Sequence, residues 1–546
     1  MHPCLKLIPA ALLMGLAAGP AAASEGNPPL GQPETPAALT GPSGTEQQAA
    51  AIVGLAPEFA AALAATGGKP SSAEREDRAA LAKFYEARQY EPAWMTTSGV
   101  GRAGQAVMAE LVKADAWGLE ASAFRLRAMP VGTAELSRAD RASLDVAISL
   151  AVLKYARHAR GGRMDPNSLS KYIDRKPPLA DPARVIDEAA KAAEADAYLR
   201  SLHPQHAQFE RLRQKYLALA RGQPMAQVEA AAPADDKANP GRKKAATGPE
   251  IPSARRLLVN MEQWRWMPES LGDYYVWVNI PEYTMRVVRG GKVIHTERVI
   301  VGKTDTQTPT FSDEMEQVIF HPFWGVPDSI KRADIQPSLA RGSSRVLERY
   351  NLRIQSGGRD IDPESVDWAS ADMRKFHVYQ PPGSGNALGI VKFRFPNKHD
   401  VYMHDTPTKT LFNAPVRTFS HGCMRVRDPQ RLAELLLAED QGWPANRIAA
   451  AIDTGPQNNH VNLKRKIPVH VTYFTAAVED DGKLKLFPDI YDHESKVTLA
   501  LDGKAHLIAR WKEDKAPPQA DAVSSLSETR TGGAKKDWTR RIFMEN

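Results

Sequence analysis

The sequence predicts a multidomain α+β protein, an N-terminal α-helical domain followed by a mainly β domain that carries a long insertion. Three observations predict this. Apolar residues recur at helical spacing between about residues 73 and 222, and alternating, β-branched runs take over in the segment 253–491. An Ala/Pro/charge-rich stretch, "QPMAQVEAAAPADDKANPGRKKAATGPEIP", lies between them. A chain of 546 residues is also expected to form two or three domains rather than one.

The first element is a leader. Lys6 precedes the apolar run "LIPAALLMGLAAG", and Ala21 and Ala23 are the small residues that a signal peptidase reads. Residues 1–23 therefore read as a signal peptide cleaved after Ala23. The run is too short for a permanent membrane span, and no later stretch is longer. No cysteine stands at the cleavage point, which argues against a lipid anchor. Residues 24–72, rich in Ala, Pro, Gly, Thr and Glu, read as disordered or weakly helical.

Helical spacing then begins. Leu81, Phe84, Tyr85 and Arg88 repeat on one face until Pro92 stops the run. Leu144, Ile148, Ala151, Val152 and Tyr155 form a second stripe ended by Gly161-Gly162, and Phe209, Leu212, Tyr216 and Leu219 a third. His158, His203 and His206 have no acidic or cysteine partner at ligand spacing and read as surface or capping residues. Residues 223–252 read as a linker that would let the two domains move independently.

Strands are expected at "YYVWVNI" and at "YTMRVVRG" and "KVIHTERVIVG", the last two joined by the hairpin signal Gly290-Gly291. More are expected at "EQVIFHPF", "VKFRFP", "VYMHD" and "IPVHVTYFTAAV". Only "DPQRLAELLLAED" reads as a helix here, with Asp428 as cap, Pro429 in the first turn and Leu432, Leu435 and Leu436 buried. The segment of about 328–389 interrupts the strands without periodicity, and structureless insertions of that length are usually lids or binding loops. Residues 492–546 read as a C-terminal extension, largely disordered after 515.

The net charge of +7 is small for this length and mildly favours anionic surroundings. No basic-aromatic cluster resembles a nucleic-acid module, so no nucleic-acid partner is expected. The cysteine count is more pointed. Cys4 falls in the leader, so Cys423 is the single thiol of the exported chain. From the count alone, an inert buried thiol and a reactive one remain equally open.

The neighbours of Cys423 favour reactivity. A cysteine nucleophile needs a base or cation that keeps it as thiolate, and donors for an oxyanion. His404 ends the expected strand "VYMH", His421 lies two residues before Cys423, and Gly422 allows a tight turn on which amide N–H groups converge. Arg425 is suited to a carboxylate. A structural zinc site would want four ligands and paired cysteines, so no metal is expected.

"SHGCMRV" (420–426), preceded by "YMHDTP" (402–407), resembles the L,D-transpeptidase signature of the YkuD type. Colinear blocks point to its large, YcbB-like branch: "VNMEQWRWMP", "VIVGKTDTQTPTFS", "FHPFWGVPDSI", "GNALGIVKFRFPN" and "IPVHVTYFTA". Weaker similarity in "FYEARQYEPAW" and "YARHARGGRMDP" extends to that family's scaffold domain.

The resemblance implies a periplasmic cell-wall enzyme acting on peptidoglycan stem peptides without a cofactor. Cys423 would be the nucleophile that attacks the diaminopimelate carbonyl of a tetrapeptide stem, expels D-alanine and yields the acyl group to an amine of a second stem. His404 would be the general base and proton donor, oriented by the backbone carbonyl of Asp405. The amides of His421, Gly422 and Cys423 would hold the oxyanion. Ser420, Arg425, Tyr402, Trp324 and Asn386 would contact or flank substrate, and residues 328–389 would be the substrate-capping insertion. Other cell-wall enzymes are conceivable partners, none of them identified. No copy of the small wall-binding domain of many relatives is found, and His321 stands where the family pattern has Asn. Two other readings compete: water as the acceptor, which gives a carboxypeptidase or amidase, and a non-catalytic wall-binding protein.

Overall fold

The computed structural model describes residues 54–126, 136–223 and 253–508. The expected leader, the linker and the tail after 515 lie outside the described residues, as does most of the 24–72 segment.

Helical periodicity becomes α1 (Ala56–Ala64), α2 (Ser72–Ala87), α3 (Arg102–Val112), α4 (Arg138–Gly161), α5 (Pro182–Lys191), α6 (Ala195–Ser201) and α7 (Ala207–Ala220). Side chains of Ser71, Ser137 and Asp181 accept the first-turn N–H groups of α2, α4 and α5, the capping that fixes where each helix starts. The stripes predicted for α2 and α4 interlock, with Leu81, Tyr85, Val152 and Tyr155 fully buried. Asp145 on α4 is buried as well, and its carboxylate accepts from the Tyr85 hydroxyl and the N–H groups of Ala93, Trp94 and Met95. Four donors on one carboxylate offset its burial and anchor the turn after α2.

Of the three histidines, His206 takes the N-cap position of α7, as the capping reading expects, while His203 is buried and His158 half-buried, contrary to the surface reading. His203 is 1% exposed, stacks on Trp117 and bonds the Tyr155 hydroxyl. His206 bonds the Pro268 carbonyl, and His158 packs edge-on against Phe124. Isolated imidazoles on apolar stripes are packing residues, and sequence spacing alone gives no sign of their depth.

Burial has a measurable consequence. It holds His158 and His493 down to about 3 and His470 to about 4, and lowers His203 too. Each is neutral in the fold and takes a proton near pH 6.5 once unfolded. Between pH 6.5 and about 3 the unfolded chain binds more protons, so stability present above pH 6.5 is lost as pH falls. The melting temperature should drop steadily from pH 7 to pH 4.5, and a flat profile would contradict this.

Helix α8 (Ala254–Trp264) joins the two halves. On one side its Glu262 accepts from the Arg163 N–H and pairs with buried Arg265, which donates to the Trp117 carbonyl at 2.6 Å. On the other, Asn260 bonds the N–H groups of Thr475 and Ala476 and the Thr475 hydroxyl. Ile173 pairs with Thr310 as a β-bridge, and Arg175 donates to the Val471 carbonyl. The described parts of the two domains are thus locked together rather than free to move independently. The composition of the connection set that expectation, and the side-chain contacts between the described parts run against it.

The β domain comprises β1 (Tyr274–Asn279), β2 (Thr284–Arg289), β3 (Lys292–Gly302), β4 (Phe311–Phe320), β5 (Val391–Arg394), β6 (Met403–His404), β7 (Thr418–Ser420), β8 (Met424–Val426) and β9 (Asn459–Thr472). Among the described residues they form one sheet in the order β7-β3-β8-β6-β5-β4-β9-β1-β2, and β2 also pairs with β3, which closes the ring. Gly290 and Gly291 have φ of +53° and +74°, as the tight hairpin between β2 and β3 requires. The inner face carries Val278, Met285, Val301, Phe320, Phe393 and Met424. The predicted helix is present as α9 (Pro429–Gln441), capped by Asp428. Sequence periodicity missed α8, α10 (Ala445–Asp453) and α11 (His493–Leu501). Two of these have only nine residues, too few turns for a repeat to show.

The insertion is folded, not structureless. Strands Trp324–Gly325, His377–Gln380, Arg353–Ser356 and Arg359–Asp360 form a four-stranded sheet in that order. Short helical turns complete it around Trp324, Ile335, Leu347, Ile354, Trp368 and Val378. Elements of two to five residues leave no periodic trace.

Candidate active site

Strand register brings the predicted groups together. β6 and β8 run parallel, with Met403 opposite Met424 and His404 opposite Arg425. Tyr402 and Cys423 immediately precede the two strands, and the Tyr402 carbonyl accepts from the Met424 N–H at 3.0 Å. Side chains alternate across a sheet. Met403 and Met424 enter the core, so Tyr402, His404, Cys423 and Arg425 share the other face. Tyr402 touches both functional groups, its ring 5.6 Å from the His404 ring and its side chain bonded to the Cys423 sulfur. Lys392 of antiparallel β5 stands opposite His404 and joins the same face.

His404 Nδ1 donates to the Asp405 carbonyl at 2.5 Å, a bond that fixes the tautomer and leaves Nε2 as the basic nitrogen. The Asp405 carboxylate is itself engaged, by the Ile390 N–H at 2.9 Å and the Lys409 ammonium at 2.5 Å. Gly389 has φ +58°, and a Cβ there would overlap that carboxylate, so only glycine lets the loop close on it.

The turn before the thiol is held from two sides. Gly422 adopts φ +115°, a conformation open to glycine. Ser420 Oγ donates to the Cys423 carbonyl at 2.5 Å and accepts from the Gly422 N–H at 3.2 Å. Buried Thr308 accepts from the Gly302 N–H and donates to the Gly422 carbonyl, each at 2.8 Å. His421 is exposed at the rim.

Burial decides the electrostatics. It pushes the Cys423 thiol up to about 11, although hydrogen bonds from Tyr402 and the charges of Lys392 and Arg425 pull the other way. It brings His404 down to about 3, with Arg425 adding to the effect. Burial thus favours a resting thiol beside a neutral imidazole, because an enclosed site penalises both charges. Arg425 is 6% exposed, and its Nε and Nη1 have no hydrogen-bond partner. An enclosed, unpaired guanidinium favours an incoming anion.

The insertion covers this face through Tyr402. That side chain packs against the insertion's apolar cluster, meets Trp324, and bonds the Cys423 sulfur. Trp324 is 5% exposed and belongs to that cluster. Asn386 is not open to a ligand: its amide donates to the carbonyls of Pro322, Gln380 and Pro381, and its oxygen accepts from the Leu388 N–H. His321 has φ +46°, a left-handed conformation in which Asn and His are both enriched, so backbone shape accounts for either residue there. Sequence reading missed Thr308 and Lys392. Alternation could have found the second, since apolar Val391 and Phe393 flank it and point it to the opposite face.

Family models match both domains of the chain. Residues 273–455 match the model of the L,D-transpeptidase catalytic domain, and residues 79–215 match that of the Scaffold domain. A Haemophilus influenzae protein described as a candidate L,D-transpeptidase is 31% identical over 255 residues, 46% of this chain. The chain spans about half the length of that curated relative, 51%. Among solved structures, an L,D-transpeptidase from Mycobacterium smegmatis is 14% identical, covering 37% of this chain and 58% of its own, at a TM-score of 0.17. Another, L,D-transpeptidase LdtMt1 in complex with imipenem, is 16% identical over 37% and 59%, also at 0.17. Overlays at such scores carry no argument.

Proposed function

We propose that this chain, which joins a Scaffold domain at residues 79–215 to a YkuD-type L,D-transpeptidase catalytic domain at residues 273–455, is a peptidoglycan L,D-transpeptidase. The observation that carries the reading is the shared face of Cys423, His404 and Arg425, with the imidazole tautomer set by the Asp405 carbonyl.

In this mechanism an anionic tetrapeptide stem enters beside Arg425. Cys423 Sγ attacks the diaminopimelate carbonyl as its proton passes to His404 Nε2. The oxyanion meets the N–H groups of the 421–423 turn. That of Cys423 comes first, because the Gly422 N–H must leave Ser420 Oγ to join it. As the tetrahedral intermediate collapses, the C–N bond breaks and His404 returns the proton to the departing amine of D-alanine, leaving a thioester. An amine of a second stem then attacks, His404 takes its proton, and the thiol is released as a diaminopimelate–diaminopimelate crosslink forms. Tyr402 and Trp324, under the folded insertion, restrict water at the thioester, which favours an amine over hydrolysis. Asn386 holds the turn that borders the channel. No helix among the described residues is long and apolar enough to cross a membrane. Together with the leader, this supports a periplasmic enzyme.

Incubating the mature protein with disaccharide-tetrapeptides and weighing the products tests the reading. Dimers that have lost D-alanine are expected. Tripeptide monomers alone would make it a hydrolase, and unchanged substrate would sink the enzyme reading.

A further inference from the structure

Three adjacent strands set Arg425 (β8), His404 (β6) and Lys392 (β5) side by side in one row. The roles of the first two follow from the transpeptidase reading. That of Lys392 does not. Its ammonium lies 3.9 Å from the Tyr402 ring centroid and close enough to Cys423 for the two to bias each other's protonation. It has no carboxylate partner among the described residues; Asp405, the carboxylate of the site, is held by Lys409 and the Ile390 N–H. Burial disfavours its charge. An enclosed ammonium with only an aromatic face beside it is poorly compensated.

Strand order gives the missing partner. The scissile amide must reach from the thiol on the β8 side, where its carbon is attacked, to His404 on β6, which protonates its nitrogen. The departing residue therefore continues in the same direction, one strand further, over β5. Neighbouring strands are about 4.8 Å apart, and the carboxylate of an α-amino acid lies two bonds beyond its nitrogen. The carboxylate thus arrives over the strand that carries Lys392, whose flexible side chain can swing to it from its resting place against the Tyr402 ring, while Arg425, on the thiol's own strand, is left for a carboxylate of the acyl half.

We propose that Lys392 binds the terminal carboxylate of the leaving residue and so makes the site selective for donors that end one residue beyond the scissile bond. The inference rests on the transpeptidase reading for the identity of that residue. It also supplies a length rule. A stem one residue longer carries its carboxylate a further ~3.5 Å away, past the ammonium, and presents an uncharged amide in its place.

The test uses a tetrapeptide stem and the same stem ending in a carboxamide, with the mature wild-type protein, Lys392→Met and Lys392→Arg. Methionine keeps the apolar stem and removes the charge. The wild type should prefer the acid by roughly 10- to 100-fold in kcat/KM, mainly through KM, the range of a charge-assisted bond. Lys392→Met should lose that preference by weakening use of the acid alone, and Lys392→Arg should keep most of it. An equal loss on both stems would overturn the proposal and assign Lys392 to the thiol or the fold. Calorimetric titration of the Cys423→Ala protein with both peptides gives a readout without turnover. Acid-selective binding that disappears when Lys392→Met is added supports the carboxylate site even if no crosslinked product is ever found. Equal binding of acid and amide overturns it even if crosslinking is robust.

Discussion

Replacing Cys423 by alanine is expected to abolish covalent adduct formation with a carbapenem and release of D-alanine from a tetrapeptide stem. Cys423 is the only cysteine among the described residues, and the second cysteine of the chain is Cys4. Among the described residues no other thiol lies near the enclosed Arg425 that would receive the carboxylate of either ligand. The strained lactam carbonyl of a carbapenem is an electrophile for an activated thiol, and its carboxylate suits the Arg425 guanidinium. Intact-mass spectrometry should show a complete shift for the wild type and none for the variant. Persistence of the adduct in Cys423→Ala would place the nucleophile elsewhere. Cys423→Ser should be nearly as inactive, because a hydroxyl is a much weaker acid than a thiol and neutral His404 is a weak base.

His404→Ala should slow acylation by roughly two to four orders of magnitude, with a change in pH dependence that identifies the cause. In the wild type the thiol ionises only near 11 and the imidazole protonates only near 3. The attacking pair therefore keeps one protonation state from pH 6 to pH 9, and the acylation rate should be nearly flat across that interval. A preformed thiolate–imidazolium would instead give limbs near the ordinary values of its two groups. Without His404 only spontaneously formed thiolate can react. Its fraction rises tenfold per pH unit below 11, so the residual rate should climb with unit slope. Stopped-flow acylation by a carbapenem at several pH values measures both profiles. A flat profile in His404→Ala would mean that another group takes the proton.

Much of this was legible because the elements involved are long or chemically marked. The stripes of α2 and α4, the β2–β3 hairpin and the Asp428-Pro429 start of α9 each repeat often enough, or use residues restrictive enough, to be read directly. The neighbourhood of Cys423 was legible from His404, Gly422 and Arg425, residue types that share few other purposes at such spacing. What escaped was decided across long separations. Thr308 acts through one hydroxyl shared by Gly302 and Gly422, and a threonine in a polar loop does not announce that. Asn386 looked like a ligand-facing loop residue, yet its amide is consumed by carbonyls of its own turn. The protonation state of the pair was not legible, because residue identity says nothing of enclosure, and enclosure outweighs two nearby cations here.

The raised thiol has a consequence for the survival of the protein. Oxidants and disulfides react with the thiolate, and a group that ionises near 11 is ionised in only about one molecule in 10⁴ at pH 7. Cys423 should therefore react slowly with peroxide and stray disulfides while idle. It becomes nucleophilic only during the encounter in which His404 accepts its proton. A lone cysteine can then persist where oxidation is routine, because the environment that arms it for acyl transfer also keeps it unarmed toward everything else.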